Sequence, residues 1–145
     1  MKKRKNIDTV AIDFDGTIVL KGYPDISNAV PVSGALEAIK ALREAGYVLV
    51  LFTCREDEPN NINKKWLTDA VNYLKDNGIE FDYLNETPYD IDFRSKECLR
   101  RKPLADLYID DRGCIPGTFS WKKWAKYLLV EEQKEEKQLV LFEEK

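Results

Sequence analysis

Two aspartates one residue apart, Asp13 and Asp15, stand at the end of an apolar run and directly ahead of Gly16 and Thr17. A carboxylate can act as a nucleophile, as a proton donor and acceptor, or as a ligand for a hard cation, and a pair at this spacing can divide those roles. Asp13 and Asp15 alternate with Phe14, so a chain leaving a strand turns both carboxylates toward one rim only by bending immediately, which Gly16 permits. The chain contains no histidine, which removes Ser-His-Asp and Cys-His chemistry and His-based metal sites together. Hydrolytic chemistry must therefore come from carboxylates, lysine, hydroxyls and a hard metal.

The elements that must position these residues alternate between strand and helix. Thr9, Val10, Ala11 and Ile12 read as a buried strand that stops at Asp13. Leu36, Ile39 and Leu42 recur at helical spacing, Gly46 stops the helix, and residues 47–52 form a second buried run ending at Thr53. Asn60 or Asn61 is the expected cap of a helix that places Trp66, Leu67, Ala70, Val71 and Leu74 on one face and closes at Asn77 and Gly78. Short strands are expected at 79–83 and 105–109, the second ending in Asp110 and Asp111. Ser120 is expected to cap an amphipathic helix carrying Trp121, Trp124, Leu128 and Leu129. Such alternation predicts an α/β fold with a mostly parallel, doubly wound, Rossmann-like sheet covered on both faces, its ligand site at the carboxyl ends of the strands.

With 145 residues, the chain has the length of one domain. Its 43% hydrophobic content excludes wholesale disorder, and a net charge of −3 offers no global footprint for nucleic acid or anionic lipid. Residues 1–7, with the run Lys2, Lys3, Arg4 and Lys5, read as a solvated basic tail, residues 8–130 as the domain, and residues 131–145 as a charged C-terminal extension. Within that extension Leu139, Val140, Leu141 and Phe142 are too apolar to leave in water, which points to docking on the domain or on a second subunit as a homo-oligomer. Cys54, Cys98 and Cys114 are odd in number and lack CxxC spacing, so neither a disulfide framework nor a zinc site is expected. No stretch reaches the roughly 20 apolar residues needed to span a bilayer, and a cytoplasmic location with no membrane partner is the expectation.

In VAIDFDGTIV the chain resembles the haloacid dehalogenase superfamily, whose first motif has the DxDGT form. Further matches follow in order: Thr53 ending YVLVLFT, Lys102 in RRKPLAD, and Asp110 with Asp111 in LYIDDR. Together they span the chain from about residue 9 to residue 112. The resemblance implies a magnesium-dependent phosphatase of three-layer, haloacid-dehalogenase-like fold. Asp13 is then the nucleophile that forms an aspartyl phosphate, and Asp15 the acid that protonates the leaving oxygen and later takes a proton from water. Mg²⁺ is held by Asp13, Asp110 and the backbone carbonyl of Asp15, with Asp111 orienting a bound water or Lys102. Thr53 bonds a phosphoryl oxygen and Lys102 neutralises its charge, with Lys96 as the reserve lysine. Gly16, Thr17, Arg55 and Arg112 complete the expected substrate-binding set.

In this superfamily a cap usually selects the substrate. Residues 18–46 hold only a loop and a helix, and residues 54–101 only a helix, a short strand and a loop, which leaves no room for one. An open site predicts a large phosphorylated substrate, such as a polynucleotide end, a phosphoprotein or a phosphosugar polymer, with residues 20–29, including Tyr23, and residues 85–94 as the available lids. The competing readings are a phosphotransferase and a catalytically silent magnesium- or phosphate-binding module. A glycosyltransferase DxD is disfavoured by the short chain, and a receiver domain by the order of its acidic pair and lysine. Trp121 and Trp124 read as core residues and Cys54 as a buried, inert thiol.

Overall fold

The computed structural model describes residues 1–88 and 102–131. Along the described chain run β1 (Lys2–Lys3), β2 (Thr9–Ile12), β3 (Val19–Leu20), β4 (Val30–Pro31), α1 (Ala35–Glu44), β5 (Val48–Leu51), α2 (Trp66–Asp76), β6 (Tyr83–Leu84), β7 (Leu107–Ile109), α3 (Trp121–Leu128) and β8 (Leu129–Val130), with 3-10 turns at Ile26–Asn28 and Asp111–Gly113. Four of these strands form a parallel sheet in the order β6-β5-β2-β7. The expected α/β, Rossmann-like architecture is the one observed.

Every residue of β2 is buried, as a central parallel strand requires. Val10, Ile12, Leu49, Leu51 and Ile109 share one hydrophobic cluster with Ala35, Ile39 and Leu42 of α1, Ala70 and Leu74 of α2, and Trp121 and Leu128 of α3. Ala11 and Val50 project to the opposite face by strand alternation and are also buried. Trp121 is fully buried and Trp124 packs against the cluster, so both belong to the core, as their spacing predicts.

Both edge strands are shorter than the sequence suggests, and for the same reason. At the end of α2, Gly78 adopts φ +78° and the Ile79 amide still donates to Leu74, so the chain leaves the helix only after residue 79. Asp82 then donates its amide to the Leu49 carbonyl and accepts the Leu49 amide on its carboxylate at 2.8 Å. On the other edge, the Asp106 carboxylate accepts from the Asp8 and Thr9 amides at 2.9 and 3.0 Å. In each case an aspartate side chain replaces the first rung of the ladder, and the regular strand begins one residue later.

The basic N-terminal residues are not a solvated tail. β1 pairs antiparallel with β8, and Leu129, expected on the last helix, lies in that two-stranded ribbon. The Arg4 guanidinium sits 3.9 Å from the centre of the Tyr127 ring. The Arg4 amide donates to the buried Tyr47 hydroxyl, which donates to the Leu128 carbonyl. Residues 18–32, expected as a simple loop, instead contain the antiparallel pair β3–β4. The segment Leu139 to Phe142, Lys96 and Cys98 lie outside the described residues. Among the described residues no helix is long and apolar enough to cross a membrane.

Neither Asn60 nor Asn61 caps α2. The Asp57 carboxylate does so from ten residues upstream, accepting the Leu67 and Thr68 amides at 3.0 Å each and the Thr68 hydroxyl. Replacing Asp57 by Ala should therefore lower the unfolding free energy by about 1–2 kcal/mol, while Asn60→Ala should leave it within about 0.5 kcal/mol, both measured by urea denaturation.

Candidate active site

Strand pairing alone brings the acidic residues together. Ile12 is the register partner of Ile109, and the Asp13 amide extends the ladder by donating to the Ile109 carbonyl at 3.0 Å, so Asp13 and Asp110 leave neighbouring strand ends side by side. Asp110 then opens the turn Asp111–Gly113 by accepting the Arg112 amide at 2.9 Å. That turn carries Asp111 back over the first loop. Carboxylate oxygens of Asp13, Asp110 and Asp111 consequently lie within 4.8 Å of one another.

Thr17 holds this cluster together from inside. Its hydroxyl accepts the Asp111 amide at 2.9 Å and lies 3.1 Å from Asp13 Oδ2 and 3.0 Å from Asp111 Oδ1. One hydroxyl proton serves both carboxylates, so it can fully satisfy only one at a time. The Thr17 carbonyl in turn accepts the indole N–H of Trp121 at 2.6 Å, which ties the loop to α3. Thr17 is completely buried, so it is a scaffold for the aspartates and not the substrate contact expected of it. Gly16 matters for its missing side chain: at φ +88°, an added Cβ would lie 2.8 Å from an Asp111 carboxylate oxygen.

The crowding shows in the electrostatics. Burial, followed by the charge of Asp110, pushes the Asp13 carboxyl up to about 7, against the partial relief of its Thr17 hydrogen bond. A half-buried set of hard oxygen donors with one member held this high is chemically suited to a divalent cation, which would relieve the repulsion. The donors present therefore fit a metal. Asp111, counted among the metal residues and expected to orient a bound water or Lys102, is a full member of the cluster.

Asp15 points elsewhere. Both of its oxygens are taken by Arg55, whose Nε and Nη2 donate at 2.7 and 2.8 Å. Arg55 is 3% exposed, so it cannot reach out to grip a second phosphate as its position beside Thr53 suggests. Thr53 lies two residues past β5 and is buried: its amide donates to Asn85 Oδ1 at 2.8 Å and its hydroxyl accepts the Arg55 amide at 3.1 Å. Cys54, expected to be buried, is exposed. The Arg112 side chain is exposed beside Asp110.

Lys102 does not reach the carboxylates. Its amine lies 4.2 Å from the centre of the Tyr108 ring and is exposed, and it forms no ion pair with Asp13, Asp110 or Asp111. Tyr108 ties down the approach by donating its hydroxyl to the Pro103 carbonyl and accepting the Ala105 amide. Lys102 thus sits against the side chain of Tyr108, a residue two positions before Asp110.

Fold and rim together define an α/β, Rossmann-like protein with a carboxylate cluster at the carboxyl ends of its parallel strands. No protein-family model and no curated protein matches the sequence. Among solved structures, the chain is similar to a conserved protein from Bacteroides thetaiotaomicron, with 34% sequence identity and a TM-score of 0.63 over 83% of this chain and 88% of that one. The chain belongs to the same family as that conserved protein.

An acid whose folded value lies near 7 and whose ordinary value is 3.8 binds an extra proton in the folded state between those pH values, so metal-free stability falls as pH rises through that window. Asp13→Asn should remove this fall and stabilise the metal-free protein at pH 8 by about 1–2 kcal/mol, allowing for the partial exposure of the carboxyl. Urea midpoints of both proteins at pH 5 and pH 8 measure the difference.

Proposed function

We propose that the protein is a capless, Mg²⁺-dependent phosphomonoester hydrolase of the haloacid dehalogenase type. The observation that carries this reading is the meeting of Asp13, Asp110 and Asp111 at one rim, where Asp15 follows β2 and Thr53 follows β5. In this reading Asp13 attacks phosphorus and the bond from phosphorus to the leaving oxygen breaks, leaving an aspartyl phosphate. Asp15 gives its proton to the leaving oxygen, then takes one from the water that attacks the aspartyl phosphate, so that phosphate departs and Asp13 is restored. The Thr53 hydroxyl donates to a phosphoryl oxygen. Lys102 joins only when its flexible stem carries the amine off the Tyr108 ring toward the rim. Mg²⁺ held by Asp13, Asp110 and Asp111, with the Asp15 carbonyl, would offset the repulsion between carboxylates and phosphate.

No capping domain stands over this rim among the described residues, so a large phosphorylated substrate is compatible with it. The protein should release phosphate from members of a panel of phosphate esters only when Mg²⁺ is present, and Mg²⁺ alone should raise its Tm. Asp13→Asn should lower kcat by about 10⁴-fold or more, and Asp15→Asn by about 10²- to 10⁴-fold. If the wild type releases no phosphate from any ester, or if Asp13→Asn matches it, the assignment fails. Mg²⁺ binding without turnover would instead identify a silent binding module.

A further inference from the structure

Among the described residues no other charged side chain is buried as deeply as Arg55. A buried guanidinium is tolerated only when its donors are satisfied, and here four of its five N–H groups are used. Two grip Asp15, one reaches the Gly22 carbonyl at 2.9 Å, and one reaches the Trp66 carbonyl at 3.1 Å. The guanidinium carbon also lies 4.9 Å from the centre of the Phe14 ring and 5.5 Å from that of Tyr23. A Cβ at Gly22 would press on Val19 and Ala29 at 3.1 and 3.2 Å, so the glycine lets the loop that offers this carbonyl pack closely on itself. Arg55 therefore joins Asp15, the loop after β3 and the first residue of α2.

We propose that Arg55 is a positioning residue for Asp15, and that it couples the orientation of this carboxylate to the seating of the Gly22–Tyr23 segment. The inference rests on the reading of Asp15 as the proton-transfer group. An ionised carboxylate offers about two acceptor sites per oxygen, and the parallel hydrogen bonds from a guanidinium occupy one on each. The plane of the carboxylate is thereby fixed, and one site on each oxygen remains for exchange of a proton with the leaving oxygen or with water. Lysine in place of Arg55 keeps the positive charge but cannot reproduce the two-point grip.

The test uses a series of aryl phosphates whose leaving phenols range from strongly to weakly acidic, with Mg²⁺, in wild type, Arg55→Lys, Arg55→Met, Asp15→Asn and the double variant Asp15→Asn/Arg55→Met. Protonation of the leaving oxygen belongs to formation of the aspartyl phosphate, which kcat/KM reports whichever step limits kcat, so Arg55→Met should lower kcat/KM about 10²-fold for the poorest leaving group and less than about tenfold for the best. Arg55→Lys should recover only part of the loss. Added to Asp15→Asn, Arg55→Met should cost little more, because both substitutions disable the same group. An equal loss of kcat/KM across the series, an unchanged dependence of kcat/KM on the leaving group, or losses that multiply in the double variant would overturn the proposal. Should Arg55→Met fail to fold, Arg55→Lys and Tyr23→Ala, which removes a ring from beside the guanidinium, carry the same comparison. A wild type inactive on every ester overturns the phosphatase reading and this one with it; an active wild type with an unaltered dependence in the Arg55 variants overturns this one alone.

Discussion

Like charges do not gather without being held, and the approach of Asp13, Asp110 and Asp111 to within 4.8 Å is the constraint on which the rest of this structure turns. Adjacent parallel strands in register supply the first restraint, since Ile12 and Ile109 fix where the two chains leave the sheet. The second is the buried Thr17 hydroxyl between Asp13 and Asp111, and the third is the absence of a side chain at Gly16. Trp121 then braces the same loop from α3, far away in sequence. The restraints that hold the aspartates together thus come from the central strands, the first loop and the last described helix.

The two carboxylates of the first loop have separate surroundings despite their closeness in sequence. Asp13 faces other acids and is driven toward the protonated form, whereas Asp15 faces a guanidinium. The two carboxylates are therefore not chemically equivalent, although one residue separates them. The loop between Ile12 and Val19 is tied internally, with Gly16, Ile18 and Val19 all donating their amides inside it.

The central strands, the three helices and the aspartates at the rim were legible because each announces itself locally. β2 and β5 are continuous apolar runs, α1 carries buried residues at helical spacing, and Ser120 caps α3 by accepting the Lys123 amide. What escaped was whatever depends on a distant partner. Two-residue strands such as β1 and β8 have no periodicity to read, and Asp82 and Asp106 substitute for ladder rungs through side chains that look like ordinary turn residues. The Asp57 cap lies ten residues from the amides it serves. Arg55 looks like a surface arginine beside a site until its burial and its four donors are known, and Thr17 looks like a substrate contact until the fold places it beneath the aspartates.

The ribbon formed by β1 and β8 has a consequence for how the molecule is made. Lys2 and Lys3 are synthesised well before Leu129 and Val130, so β1 can form this ribbon only once the intervening sheet and helices have been made. The Tyr47 hydroxyl, which joins Arg4 to Leu128, likewise waits for the C-terminal end of α3. Closure of this ribbon therefore comes late in the life of the nascent chain, only after α3 has been made.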